Sequence, residues 1–430
     1  MNIPSFIKNN LLLKVTSANT LLVAVRMGVS LISQKVLAIL IGAEGIAQVG
    51  NLWNVIRFFE QFSILGTSNG LIKYVSEYRD DKKQLNYLLS TVLVFTALAS
   101  ILSFVILFFW SDALNNLIFG INNDYGYIFK ILSFIIPFMG INATLNALLN
   151  GHSAYKLFSK ITLFTVIVST IVIVVLTFKQ GTYGSLLAIS ISPLIQFFGY
   201  ILILPRKYRN HINLTKLSYG LHFKSKLMSY SFMTVIVVLI INISEIAIRY
   251  LIESKVSALD AGYWTAMSSI SKTYMQFSAA IFPLYVLPKY AKIKDTFGFR
   301  KEVKKIYQML LPIIVVGMFL VFLFRDLIIK VLYTEEFLSM STLFKWQLLG
   351  DLIKFCAIVI SYQFLAKKQI GYFVFTEILS VLLFYGFSVY FVNIYGTEGI
   401  VIAHFIRYVL YFIVVLYILR HSFIGKNKLL

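Results

Sequence analysis

The sequence predicts an all-α polytopic membrane protein with twelve transmembrane helices. Three observations carry this. Of 430 residues, 59% are hydrophobic and only 13% are charged, about half the share of a soluble domain, roughly 25%. The apolar residues fall in long runs, and about 20 such residues cross a bilayer as a helix. The net charge is +21, and most of the cations lie between the runs. A soluble nucleic-acid binder would have no place to bury so much apolar surface. A soluble enzyme of this length would carry far more Asp and Glu.

The runs place spans at 18–41, 51–72, 87–110, 127–149, 157–178 and 184–204, then 229–252, 262–288, 306–324, 342–365, 370–390 and 400–419. The first is too long, and lacks a small-residue cleavage site, to read as a removable signal peptide. The polar connections 73–86, 111–126, 205–228, 289–305 and 325–341 read as loops, and no soluble domain fits between spans. A single cysteine, Cys356, excludes an internal disulfide and reads as a small core residue. Five of the seven prolines (Pro137, Pro193, Pro283, Pro288 and Pro312) fall in or near spans. Proline removes a backbone hydrogen bond and bends a helix.

Lys and Arg set orientation. One side of the membrane collects 25 of them, including Lys8, Lys14, Lys73, Arg79, Lys156, Arg206, Lys207, Arg209, Lys216, Lys289, Lys367, Lys426 and Lys428; the other has Lys179, Lys255, Arg325 and Lys330. Both termini are therefore expected in the cytoplasm. Trp53, Trp110, Trp264 and Trp346 fall near the outer ends of their spans, as an aromatic belt would. The basic central connection divides the chain into an N-terminal lobe, 1–210, and a C-terminal lobe, 211–430. A weak repeat agrees: Phe129-Lys130 opens span four and Phe344-Lys345 opens span ten, and each span leads to a short turn with Tyr155 or Tyr372. Two related six-helix lobes are a transporter plan.

Ten cations remain within spans. Lys130, Lys160 and Lys345 lie within a turn of a span end and can snorkel. Arg26, Lys35, Arg57, Arg249, Lys272, Lys354 and Arg407 lie deeper, opposed by Glu60, Glu245, Asp351 and Glu377. A charge at the bilayer centre costs roughly 2.5–3.5 kcal/mol even on the lenient scale. These groups must find partners or water. Arg57 with Glu60, Glu245 with Arg249 (Asn242 on the same face) and Asp351 with Lys354 (Gln347 on the same face) have the i, i+3 or i, i+4 spacing that brings side chains together. They read either as ion pairs or as cavity groups. Arg26, near Ser30 and Ser33, and Lys272 have no acid within a turn. Arg407 has His404 three residues earlier. An excess of buried cations favours an anionic ligand, and Arg grips phosphate in bidentate fashion. A drug or cation exporter needs the reverse balance.

No GxxxxGK[ST] loop or GxSxG elbow occurs, and the five histidines show no metal-ligand spacing. Catalytic residues, metals and cofactors are therefore all expected to be none, and no nucleic acid is expected as partner. Glu335-Glu336 reads as a solvated turn.

The segment Lys73-Tyr-Val-Ser-Glu-Tyr-Arg-Asp80 resembles the first cytoplasmic loop of Wzx-type flippases, the O-antigen and enterobacterial common antigen translocases. Ile270-Ser-Lys-Thr-Tyr-Met-Gln-Phe277, continuing to Tyr285-Val-Leu-Pro288, is similar as well. So is Phe344-Lys-Trp-Gln-Leu-Leu-Gly-Asp351 with Lys354 and Ala366-Lys367. The likeness runs along nearly the whole chain. Where the family pattern has an acid after the Ile-Ser pair, this chain has Lys272.

The resemblance implies the fold of the multidrug/oligosaccharidyl-lipid/polysaccharide exporter superfamily, two six-helix lobes around a central V-shaped cavity (MATE-like). It implies an undecaprenyl-pyrophosphate-linked oligosaccharide as substrate, flipped to the periplasmic leaflet of the bacterial inner membrane by alternating access. A polysaccharide polymerase and a chain-length regulator would be neighbours of a monomeric flippase. Arg26, Arg57, Arg249, Lys272, Lys354 and Arg407 are the expected substrate-binding cations. Glu60, Glu245, Asp351 and Glu377 are the expected charge-balancing or coupling acids. The alternatives are another exporter of the superfamily, for drugs or lipid II, and a membrane polysaccharide polymerase.

Overall fold

The computed structural model describes residues 11–121, 123–205 and 221–423. Lys8, Arg206, Lys207, Arg209, Lys216, Lys426 and Lys428, the side chains of Lys14 and Tyr155, and the lobe boundary expected at 210/211 lie outside the described residues.

The helices are α1 (Leu11–Phe62), α2 (Ser68–Glu77), α3 (Lys82–Phe109), α4 (Ser111–Ile118), α5 (Gly126–Gly151), α6 (Tyr155–Ile203) and α7 (Lys224–Lys255). There follow α8 (Ala258–Ile281), a π-helical turn (Phe282–Val286), α9 (Leu287–Lys292), α10 (Thr296–Leu323), α11 (Arg325–Leu332) and a 3₁₀ turn (Glu335–Thr342). The last described elements are α12 (Leu343–Ala366), α13 (Ile370–Tyr395), α14 (Thr397–Ile418) and α15 (Arg420–Phe423). Nine helices among the described residues are long and apolar enough to cross a membrane. Two of them, α1 and α6, break at a glycine of positive φ, Gly42 (φ 60°) and Gly181 (φ 58°). Each contributes two spans, and α8 with its π-helical turn completes the expected twelve.

Several boundaries differ from the sequence expectation. The second span begins directly after Gly42, so Trp53 lies about 15 Å into it at 1.5 Å per residue, away from an outer rim. Trp264 is 4% exposed, packed inside its bundle, whereas Trp110 ends α3 more than half exposed. The expected aromatic belt therefore reduces to fewer rings. The stretch 289–305 is largely helical. Asp295 caps α10 by accepting the Gly298 N–H, and Phe299, Val303 and Ile306 bury one face while Lys301, Lys304 and Lys305 stay exposed on the other. That pattern is an amphipathic helix extending a span. Parts of the other polar connections form α2 and α4, and α3 starts at Lys82 because the Asp81 carboxylate accepts the Lys83 and Gln84 N–H groups at 3.0 Å.

The helices form two compact units. One holds Thr16–Ile41 and Gln48–Ile246; the other holds Gly42–Ala47 and the chain from Ala247 onward. Along this part of the chain the division falls inside α7. In the first unit α5 packs on α3 and α6; in the second, α12 and α13 both pack on α14. The cores are apolar, with Phe129, Leu52 and Ile136 wholly buried in the first unit and Phe344, Phe355 and Phe364 in the second.

The repeat is written into the backbone. Residues 215 apart play the same part: Gly151 and Ala366 end helices, Tyr155 and Ile370 start them, Ile203 and Ile418 end the next. Ser153 and Lys368 share φ 56°. Gly181 (φ 58°, ψ −137°) matches Gly396 (φ 56°, ψ −137°). A Cβ added at Gly184 would strike the Leu176 carbonyl oxygen, and one at Gly399 the Phe391 carbonyl oxygen, also 215 apart. Each Gly-Thr-x-Gly segment is thus a helical hairpin in which the chain returns against its own backbone.

Candidate functional site

In the C-terminal unit, α12, α13 and α14 bring four of the ten expected charges, Asp351, Lys354, Glu377 and Arg407, close to one another, with α8 supplying hydrogen-bond donors. The centre of this network is Asp351, wholly buried. Its Oδ2 accepts hydrogen bonds from Ser271 Oγ (2.5 Å), Tyr274 Oη (2.5 Å) and Gln347 Nε2 (3.2 Å). Its Oδ1 lies 3.1 Å from His404 Nε2. The tautomer with hydrogen on Nε2 donates to Asp351 and leaves Nδ1 as acceptor toward Arg407 Nη2, 3.5 Å away. Four donors from three helices thus surround one carboxylate, as a buried charge requires.

The i, i+3 partner expected from sequence, Lys354, faces elsewhere. Its ammonium lies 5.5 Å from the centre of the Tyr408 ring. Arg407 stacks on Phe384 and Tyr408, with centroid distances of 4.4 and 4.2 Å. Tyr411 Oη donates to Glu377 at 3.2 Å. Cation–π contact with these rings helps to hold both cations. Helical spacing permitted the Asp351–Lys354 pair, but the donors on α8 and α14 outcompete it.

Arg249 belongs to the same unit and is 2% exposed. Its Nε donates to Thr265 Oγ1 at 2.9 Å, and its guanidinium lies over Trp264 at 5.4 Å. Lys272 follows Ser271 on α8 and is half-buried.

Gly350 makes the network possible. A Cβ there would lie 2.5 Å from His404 Cδ2 and 3.2 Å from the Phe405 Cα. Only glycine lets α14 approach α12 closely enough for His404 to reach Asp351. Gly350→Ala is expected to cost about 1–3 kcal/mol through overpacking, read as a lower thermal unfolding midpoint. Gly386→Ala, where a Cβ meets open space, is expected to shift stability by no more than about 0.5 kcal/mol.

The N-terminal unit holds Glu60, Arg57 and Arg26 differently. Glu60 and Arg57 are both exposed although they lie in a span, and Arg26 is half-buried one turn before Ser30. Glu60, Ser30 and Ser33 line a cavity of about 260 Å³ together with Trp53 and polar side chains of α5 and α6. Sequence reasoning missed the contributors from α5 and α6. Their signal was present: Thr162, Thr165 and Ser169 recur at helical spacing within an otherwise aliphatic run, as do Ser192 and Gln196. It also missed Tyr274, Tyr408 and Tyr411, because an aromatic residue in a span reads first as core. Glu245 is half-buried on α7.

Many long apolar helices, one group of them enclosing the charged network around Asp351, define a polytopic membrane protein. The whole-chain likenesses agree. The chain covers 92% of its length on an inward-facing multidrug resistance MATE family transporter of the MOP superfamily (TM-score 0.74, 13% identity, 95% of that chain). It covers 93% on the lipid II flippase MurJ in an inward closed conformation (TM-score 0.71, 16% identity, 87% of that chain). At these identities the shared feature is the fold. The chain belongs to the polysaccharide biosynthesis protein family, whose model matches residues 36–342. It is 27% identical over 400 residues to the Lipid III flippase of Escherichia coli (strain K12), covering 92% of this chain and 94% of that protein. The Lipid III flippase of Shigella flexneri matches to the same extent.

Proposed function

We propose that this protein is a flippase carrying an undecaprenyl-pyrophosphate-linked oligosaccharide from the cytoplasmic to the periplasmic leaflet of the inner membrane by alternating access. The observation that carries the reading is full-length similarity to a Lipid III flippase in a chain whose expected spans hold more cations than acids. Arg26, Arg57 and Lys272 engage the pyrophosphate or acidic sugars. Lys354 and Arg407, held on aromatic faces, add positive potential, and Arg249 braces α7 against α8. Glu60, Glu245, Asp351 and Glu377 balance the charge. Both termini face the cytoplasm, in keeping with the distribution of Lys and Arg. Outward movement of an anion is favoured by an inside-negative potential, roughly 2.3 kcal/mol per charge per 100 mV. The cycle runs without bond-making, so the protein is a transporter and not a polymerase.

Purified protein in liposomes is expected to exchange the lipid-linked oligosaccharide between leaflets without lengthening it. Longer glycans would instead show a polymerase. Arg26→Ala and Lys272→Ala, at wild-type expression, are each expected to slow exchange about tenfold, since a hydrogen bond to a charged group contributes about 1.5–3 kcal/mol. Unchanged surface polysaccharide in both variants would sink the cationic role.

A further inference from the structure

The cavity in the N-terminal unit shares only Glu60 with the charged groups assigned above, and the repeat relates much of the rest of its lining to the C-terminal unit. At positions where the C-terminal unit places Lys354, Glu377, Phe384, Arg407 and Tyr411, the equivalent residues 215 earlier are Met139, Thr162, Ser169, Ser192 and Gln196. All five line the cavity. One unit sets long charged and aromatic side chains at these positions, and the other sets three hydroxyls, a methionine and a glutamine, none of them charged, around an open space.

The lining has a definite chemistry. Thr162, Thr165 and Ser192 spend their hydroxyl hydrogens on the backbone carbonyls of Phe158, Ile161 and Ala188 at 2.9, 2.9 and 3.1 Å. Their oxygens are left as acceptors. Asn142, 3% exposed, gives its Nδ2 hydrogen to the Pro193 carbonyl oxygen at 2.8 Å, and its Oδ1 has no partner among the described residues. The Ser169 hydroxyl is likewise buried and unpartnered. Buried polar atoms without partners are rare in folded proteins and ask for an explanation. Glu60 adds a carboxylate and Trp53 a large aromatic ring.

A ligand for this space must donate several hydrogen bonds, offer an apolar face to the indole and fill about 260 Å³. An apolar cavity of about 150 Å³ accepts benzene, so this one takes a six-membered ring with substituents. A bare monovalent cation fills no more than one water's share, roughly 30 Å³, and has no use for the indole. A uronic acid would meet Glu60. We propose that the cavity is a sugar subsite that seats one neutral pyranose ring of the transported glycan, its hydroxyls donating to Glu60, Asn142 and the helix hydroxyls and its C–H face lying on Trp53. The proposal rests on the reading that the substrate carries an oligosaccharide, and it makes this unit the one that senses sugar identity.

The test uses the full chain, reconstituted or in detergent, with methyl glucopyranoside as probe. Saturation-transfer NMR is expected to show contact from the protein to the pyranoside ring protons, with methyl glucuronide giving little. Ser169→Phe, which copies Phe384 of the other unit, and Thr165→Val, which removes an acceptor at constant volume, are each expected to weaken the pyranoside signal at least tenfold. Thr165→Val guards against a folding defect in the larger replacement. Equal pyranoside binding by wild type and both folded variants overturns the proposal. So does a wild type that binds no pyranoside but is stabilised by Na⁺ in a manner lost in Glu60→Gln, which would make the cavity a cation site. Leaflet exchange separates this result from the reading beneath it. Pyranoside binding without lipid exchange rejects the flippase, whereas exchange that Ser169→Phe leaves unchanged in rate and sugar preference rejects the subsite alone.

Discussion

Asp351→Asn is expected to destabilise the protein by about 3–5 kcal/mol, the range for breaking a buried charge network, and to abolish transport. The wild-type carboxylate accepts from Ser271, Tyr274, Gln347 and His404 with both oxygens. An asparagine keeps one oxygen and turns an NH₂ group toward the other donors. At least one buried donor then faces another donor, at about 1–3 kcal/mol for each unsatisfied group. The loss also removes the negative charge nearest Lys354, one helical turn along α12. Thermal unfolding in detergent checks the prediction, with a drop in midpoint on the order of 10 °C for a unit of this size. A double-mutant cycle with His404→Gln is expected to show coupling of at least about 1 kcal/mol, because the two side chains share one network. An unchanged midpoint for Asp351→Asn would remove the network from the list of stabilising contacts.

The parts of the structure that were readable in the sequence are those governed by one-dimensional rules. A bilayer-length apolar run marks a span whatever its partners, so all twelve appeared, but the break at Gly42 and the helix end at Phe62 shift the second span toward the N-terminus at both ends, from the expected 51–72. Helical spacing likewise placed Gln347, Asp351 and Lys354 on one side of α12. It could not say which neighbour would take the carboxylate, because Ser271, Tyr274 and His404 come from helices 53 to 80 residues away. Competition among donors is settled only when α8 and α14 arrive. Arg249 illustrates the same limit. Sequence marks it as a costly intramembrane cation, and packing shows Thr265 and Trp264 already holding it.

The cavity was hidden for the opposite reason. Charges stand out in an apolar chain, whereas serine and threonine inside spans are commonplace, since their hydroxyls bond back to the helix. Only the comparison of the two halves at a spacing of 215 shows that Ser169 and Ser192 stand where the other half has Phe384 and Arg407. The repeat was legible at Phe129-Lys130 and Phe344-Lys345, both of whose phenylalanines are fully buried. Its stronger signature, Gly181-Thr-Tyr-Gly184 against Gly396-Thr-Glu-Gly399, passed unnoticed because glycine and threonine near a span end look like ordinary turn residues.

Those glycines carry the second large expected effect. Gly184→Val and Gly399→Val are each expected to leave little folded protein, with a cost above about 4 kcal/mol, the range reserved for a named structural failure. The side chain added at residue 184 meets the Leu176 carbonyl, and that at 399 meets the Phe391 carbonyl. Both obstacles are backbone, which has no rotamer to change. The hairpin could open only by disturbing Gly181 or Gly396, whose positive φ fixes the reversal, or by separating α13 from α14. Size-exclusion profiles and yields from detergent extracts check this. Gly317→Val serves as comparison, since a Cβ there meets nothing within 4 Å and the β-branched residue costs an exposed helix position little. The two hairpin variants should fail alike, because the halves use one turn geometry. A monodisperse Gly399→Val protein with a wild-type midpoint would show that the α13–α14 hairpin tolerates a wider turn, and that the repeated glycine spacing is inheritance without a present structural demand.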